Sequence, residues 1–151
     1  MRGNYYEIAI GDLYFAKVGL STELDDNVRG YNTCAASCTQ AAEKFLKYLF
    51  ITFDVPFEEN MIKSHNLNSL LKELQKTFSE TKTLVSACRF LNDFYIDSKY
   101  PGDNFEWVDL ETAKKCLSYV QEVKECVDGI LQNPLYEQKL FEALKHKFDK
   151  K

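Results

Sequence analysis

Apolar side chains recur every three or four positions over long stretches of this chain, the period of helices that bury one face. Tyr6, Ala9, Leu13, Ala16 and Leu20 make a first stripe. Tyr31, Ala35, Cys38, Ala42, Phe45 and Leu49 make a second, preceded by Asp25, Asp26 and Asn27, all of types that cap a helix. Ala35, Ala36, Cys38, Ala41 and Ala42 crowd the first half of that helix, so a neighbouring helix can come close there. Phe50 to Phe53 is β-prone but continues the helical register, and Pro56 breaks it. A short helix follows, with Ser64 or Asn66 as N-cap and Leu67, Leu70, Leu71, Leu74 and Phe78 as its apolar positions. A fourth starts near Ser79 or Thr81, carries Leu84, Ala87, Cys88, Leu91, Phe94 and Tyr95, and stops at Tyr100-Pro101-Gly102. Asp109 caps a fifth with Ala113, Cys116, Leu117, Val120, Val123, Val127 and Leu131. Asn133-Pro134 then opens a last helix bearing Tyr136, Leu140, Leu144 and Phe148. No segment alternates convincingly as a strand. The pattern predicts an all-α protein: an up-and-down antiparallel helical bundle of four long helices plus short additional helices. Residues 1–132 form the bundle, and 133–151 a C-terminal helix that packs on it or extends from it.

Length and composition narrow this picture. At 151 residues the chain supports one core without a metal or disulfide to hold it. Six glycines and three prolines are too few for the turns of an all-β fold. Nineteen basic against 23 acidic side chains give a net charge of −4, which disfavours generic nucleic-acid binding. The longest apolar run, around Leu46 to Phe53, is too short to span a membrane. Glu7 and Asp12 fall where the apolar segment of a secretory leader would lie, so the expectation is a cytoplasmic protein. Five cysteines within apolar helical patterns then read as reduced core residues, and no second pair of ligands stands at metal-site spacing; no metal is expected.

Catalytic signatures are missing: no Gly-rich phosphate loop, no Gly-flanked serine and no His-Glu-x-x-His. What remains are polar clusters with a bland and a functional reading each. Glu43 and Lys47 stand four apart with Lys44 beside them, on the face opposite the second helix's stripe. They read as a solvated ion-pair face or as positive charge for a nucleotide or phosphate groove. His65 opens the short helix and serves its end amides, or acts as base or ligand given a partner. His146 reads as solvent-exposed. Tyr95, Asp97, Lys99 and Tyr100 crowd the end of helix four, where Lys99 compensates the helix dipole or joins a groove rim. Asp103, Glu106 and Asp109 lack the spacing of a calcium loop, and Phe105 and Trp107 among them suit a protein interface better. Beyond Pro134, five lysines against three acids make a solvated or partner-facing helix.

Taken in order, Leu13 and Ala16, the run Cys38-Thr39-Gln40-Ala41-Ala42-Glu43-Lys44-Phe45-Leu46-Lys47, His65-Asn66-Leu67 with Leu70-Leu71, and Tyr100-Pro101-Gly102 resemble the HEPN (higher eukaryotes and prokaryotes nucleotide-binding) domain over roughly residues 5 to 130. The resemblance implies an up-and-down bundle, often dimeric, encoded beside a minimal nucleotidyltransferase and acting with it as a toxin–antitoxin-like two-component system. It also implies a nucleotide as ligand, of unknown identity, and no cofactor. Other members are metal-independent ribonucleases with an Arg-x4–6-His motif. Arg2, Arg29 and Arg89 are the only arginines, and none has a histidine five to seven residues on. The reading therefore leans away from an enzyme. The family's His-Asp-Leu stands here as His65-Asn66-Leu67, and its Arg before Tyr-Pro as Lys99, which keeps charge but loses bidentate phosphate recognition.

The expectation is a non-catalytic nucleotide-binding or partner subunit, a homodimer, with a groove lined by Lys44, Lys47, His65, Lys99 and Tyr100. The lysines would neutralise phosphate and Tyr100 would stack. Two alternatives stand beside it: a degenerate ribonuclease toxin acting through His65 or His146, and a structural adaptor whose dimer face is the small-residue stripe of helix two.

Overall fold

One helix is enclosed by all the others, and its sequence explains why. In the computed structural model, which describes residues 4–21, 23–25, 28–94 and 107–149, α2 (Tyr31–Thr52) is touched by the first, third, fourth, fifth and last helices alike. Its apolar positions come in doublets, Ala35-Ala36, Ala41-Ala42, Phe45-Leu46 and Leu49-Phe50, and every one of these side chains is buried. Doublets widen an apolar stripe into a band around most of the helix, and a helix apolar on most sides belongs inside.

Around this axis stand α1 (Tyr5–Ser21), α3 (Leu67–Leu74), α4 (Val85–Asn92), α5 (Leu110–Gln132) and α6 (Glu137–Asp149). The all-α bundle is as expected. The most extensive packing is α1 on α2, where Ala9, Leu13 and Ala16 meet the small-residue half of α2. That stripe is consumed inside the chain: Ala35 and Ala42 are fully buried, so it offers no dimer face. Gly19 and Gly30 sit where the two helices converge, each lying against the other's backbone. Tyr6 of α1 adds a polar tie, its hydroxyl donating to Asp128 of α5 at 2.7 Å while Lys124 holds the other carboxylate oxygen at 2.7 Å.

Helix ends follow local chemistry in most places. Asn66 caps α3 by accepting the Ser69 amide, and Asp109 caps α5 by accepting that of Thr112. Asn133 accepts the Leu135 amide and opens a 3₁₀ turn, Pro134–Tyr136, ahead of α6. Four details differ from expectation, one being that the fourth helix ends at Asn92, so Phe94 lies in the turn beyond it; Tyr95 and Tyr100 to Gly102 lie outside the described residues. The α1–α2 connection holds a small antiparallel pair, β1 (Glu23–Asp25) with β2 (Val28–Arg29), where no strand was anticipated. In consequence α2 starts from Gly30 without a side-chain cap, not from Asp25; Asp26 and Asn27 lie outside the described residues. The fourth helix begins as a 3₁₀ segment, Ser79–Leu84, because the Thr81 and Thr83 hydroxyls donate to the carbonyls of Phe78 and Glu80 three residues back and tighten the turn.

Polar groups inside the bundle are matched. Thr39, fully buried in α2, donates to the Leu91 carbonyl of α4 at 2.6 Å. Asn92 accepts the Leu67 amide at 2.8 Å and ties α4 to the start of α3. Cys34, Cys38, Cys88 and Cys116 are buried and Cys126 is partly buried, all as free thiols. Burial pushes Cys88 and Cys116 up to about 12 and Cys126 to about 11, so they stay protonated.

The last helix is attached at few points. The Tyr136 ring packs edge-on against Phe53 and Phe78, and its hydroxyl donates to Glu80 at 2.7 Å. Ala143 is the one buried residue of α6, while the expected apolar positions Leu144 and Phe148 face solvent. His146 is half exposed and paired with Asp54, which follows α2 in a left-handed conformation, at 2.9 Å. Burial first, and then the hydrogen bond and negative charge of Glu80, push Tyr136 to about 12. A phenol held above its ordinary value of about 10 contributes stability below pH 10 that is lost as pH rises through 12. Tyr136→Phe is therefore expected to flatten the fall in urea midpoint between those pH values, relative to wild type. An unaltered fall would refute the role of this phenol.

Candidate functional site

Because α2 is central, two charged residues of its polar face do not point to water. Glu43 and Lys47, one turn apart, are 7 % and 5 % exposed and joined at 3.2 Å. The expected solvated face is thus corrected for these two residues: the segment leading into α3 and the surrounding helices leave them no open side. Lys44 points instead toward α1, where it is paired with Asp12, and both side chains are mostly covered.

His65 supplies the partner the sequence could not indicate. Its Nδ1 lies 2.8 Å from Glu43 Oε1, on the carboxylate whose other oxygen meets Lys47. The position of the ring follows from the cap of α3. Asn66 accepts the Ser69 amide while the Ser64 hydroxyl accepts the Asn66 amide, and this double turn fixes the residue that precedes the cap. Asn caps as well as Asp does, so the departure at this position from His-Asp-Leu leaves the local structure intact. The imidazole is 55 % exposed, and contacts run from Lys47 through Glu43 to His65, from core toward surface.

Such an arrangement can do two things. An imidazole whose one nitrogen is held by a buried carboxylate is fixed in tautomer and direction, and it can offer a hydrogen bond or a charge to an anion. The same geometry orients a general base. Lys47, held in the interior, supports the carboxylate and does not contact an outside ligand. Lys44, more open but already paired, could contribute to an anion only by sharing with Asp12.

Of the expected groove, therefore, the structure brings Lys47 and His65 together through Glu43 and places Lys44 beside them on α2. Lys99 and Tyr100 lie outside the described residues, as do Asp103 and Glu106. Asp109 is accounted for as the cap of α5, and Trp107 is exposed. Sequence reasoning missed Glu43 as the ligand of His65 and Asp12 as that of Lys44. The signal available was the doublet pattern of α2, which places Glu43 inside and so demands a partner for its charge.

Elsewhere, an open groove of about 640 Å³ between the 3₁₀ segment and α5 is lined by Glu80, Glu122 and Glu125, a charge that repels phosphate. Among the described residues no cluster of His, Cys, Asp and Glu could hold a metal ion, and no helix is long and apolar enough to cross a membrane.

A family model for the HEPN domain matches residues 5–130. No curated protein and no solved structure matches the chain.

Proposed function

The chain belongs to the HEPN domain family, and on that premise we propose that it is a non-catalytic, nucleotide-binding subunit that works as a homodimer beside a minimal nucleotidyltransferase, as in toxin–antitoxin-like two-component systems. The observation that carries the reading is the chain Lys47–Glu43–His65. A buried ion pair in contact with a half-exposed imidazole suits contact with phosphate and is more than packing of the bundle requires. His65 meets the phosphate in this reading, with Lys44 alongside. Lys47 acts from behind as support, Lys99 adds charge at the rim and Tyr100 stacks on the base. The missing Arg-x4–6-His motif favours binding over cleavage.

His65→Ala tests the site, because an exposed ring can be removed without opening the core. Nucleotide affinity, measured by titration calorimetry with ATP and GTP, is expected to fall about tenfold, the loss of one charge-assisted hydrogen bond. Equal affinity in the variant would remove His65 from the site. The partner is tested by isolating tagged protein from its native host. A nucleotidyltransferase recovered in equal amount is the expected result, and recovery of this chain alone would overturn it. One observation favours the ribonuclease alternative: the 2.8 Å Glu43–His65 contact is that of an oriented base. RNA cleavage by purified protein that disappears in His65→Ala would select it.

A further inference from the structure

The groove between the 3₁₀ segment Ser79–Leu84 and α5 has a floor and a rim of opposite character. Leu84 and Ile130, both buried, line its floor together with the partly buried Cys126. Glu80, Glu122 and Glu125 stand along it, and among the described residues no lysine or arginine lines it. None of these three carboxylates is in an ion pair within the described residues. Glu80 accepts from Tyr136 and Asn133, and Glu125 from the Gln121 amide at 3.4 Å, neutral donors that leave the charge in place. Gly129 is an independent observation on the same face. It lies in the interior of α5, where glycine weakens a helix relative to alanine. Packing among the described residues does not call for it, because nothing lies within 4 Å of its Cβ position. Glu122, Cys126 and Gly129 follow one another at spacings of four and three, so the bare backbone opens onto the groove.

We propose that this groove seats a helix of a protein partner, one whose apolar stripe is flanked by lysines or arginines. Charge complementarity selects the flanks: three uncompensated carboxylates beside apolar surface match cations carried on aliphatic stems. The floor selects the stripe, since Leu84 and Ile130 reward an apolar side chain and offer nothing to a polar one. The walls select a helix. Both are helical, with their backbone groups bonded internally, so no edge is free to pair with an extended strand, whereas a helix satisfies its own backbone. Gly129 lets the backbone of such a helix come close, which a small diffusible cation would not need. This docking site is additional to the phosphate contact of the reading above, because its charge repels phosphate.

The probe is a fluorescein-labelled amphipathic peptide of leucine and lysine, titrated with the full chain and followed by anisotropy. Wild type is expected to bind it and to leave the counterpart with glutamate in place of lysine unbound. Glu122→Lys with Glu125→Lys should weaken binding about tenfold or more, with an unchanged circular dichroism spectrum. Gly129→Leu should weaken it by a similar factor while melting no lower than wild type, because the added side chain fills the groove and favours the helix. That variant separates docking from the general attraction of a cationic peptide to a chain of net charge −4, which it leaves unaltered. Equal affinity in Gly129→Leu would therefore overturn the site, as would a wild type that binds neither peptide. Displacement of the peptide by spermidine as readily as by unlabelled peptide would give the groove to a small cation and overturn the helix as its occupant.

Discussion

Lys47→Met is expected to destabilise the protein by about 3–5 kcal/mol, the cost of leaving a buried carboxylate without its counter-charge. Both members of the Glu43–Lys47 pair are nearly sealed from water, so the solvent screening that makes surface pairs weak is absent. His65 bonds the other carboxylate oxygen from the solvent side, so the oxygen that Lys47 meets is left without its hydrogen bond. Methionine keeps most of the volume of the lysine stem, so the loss reports charge and not a cavity. A double variant, Glu43→Leu with Lys47→Met, should recover most of the loss, since the cost lies in the orphaned charge and not in the absent pair. Urea denaturation of the two single variants and the double would show this as strong coupling. If Lys47→Met stayed within about 0.5 kcal/mol of wild type, as surface substitutions do, the pair would not be desolvated. The double variant also separates fold from function. It retains the bundle and His65 but removes the carboxylate that directs the ring.

Gly30→Ala should cost about 2–3 kcal/mol, near the upper end for overpacking. A Cβ there would stand 2.5 Å from the Gly19 carbonyl oxygen and 2.9 Å from the Gly19 Cα. These are backbone atoms, and no rotamer change can move them aside. Either α1 withdraws from α2, loosening the most extensive interface in the molecule, or the start of α2 unwinds. Gly129→Ala in α5 is the control, because nothing lies within 4 Å of its Cβ position. There alanine should stabilise by about 0.5–1 kcal/mol through helix propensity. Thermal melts that rank the two variants the same way would refute the close approach of α1 and α2.

Element identity and most boundaries were legible in the sequence because they rest on local chemistry. Asn66, Asp109 and Asn133-Pro134 cap the helices they were expected to cap, and the α2 register runs through Phe50-Ile51 despite its β-propensity. The start of α2 was misplaced because Asp25 is drawn into a strand pair, and tertiary contact with Gly19 fixes the helix origin at Gly30. The candidate site was half legible. Lys47 and His65 meet through Glu43, whereas Lys44 turns to Asp12 of α1, and these orientations depend on what surrounds α2. One stripe drawn on a helical wheel predicts one buried face, and Glu43 fell outside that stripe. The adjacent apolar pairs carried the missing information, because only an enclosed helix needs both members of Phe45-Leu46 and of Leu49-Phe50.

The sparse attachment of α6 bears on how the molecule comes apart. Local openings need only the free energy of the contacts they break. For α6 those include the Tyr136 ring in its aromatic corner, the partly buried Leu140, one buried alanine and an exposed His146–Asp54 pair, whereas freeing α2 means giving up contacts with five other helices at once. Amide protons of α6 will therefore exchange with solvent deuterium through fraying that leaves the rest folded, and those in the middle of α2 only through global unfolding. That outcome would make the C-terminal helix a separate, weaker cooperative unit. A protease acting on the native protein would meet it long before it met the bundle.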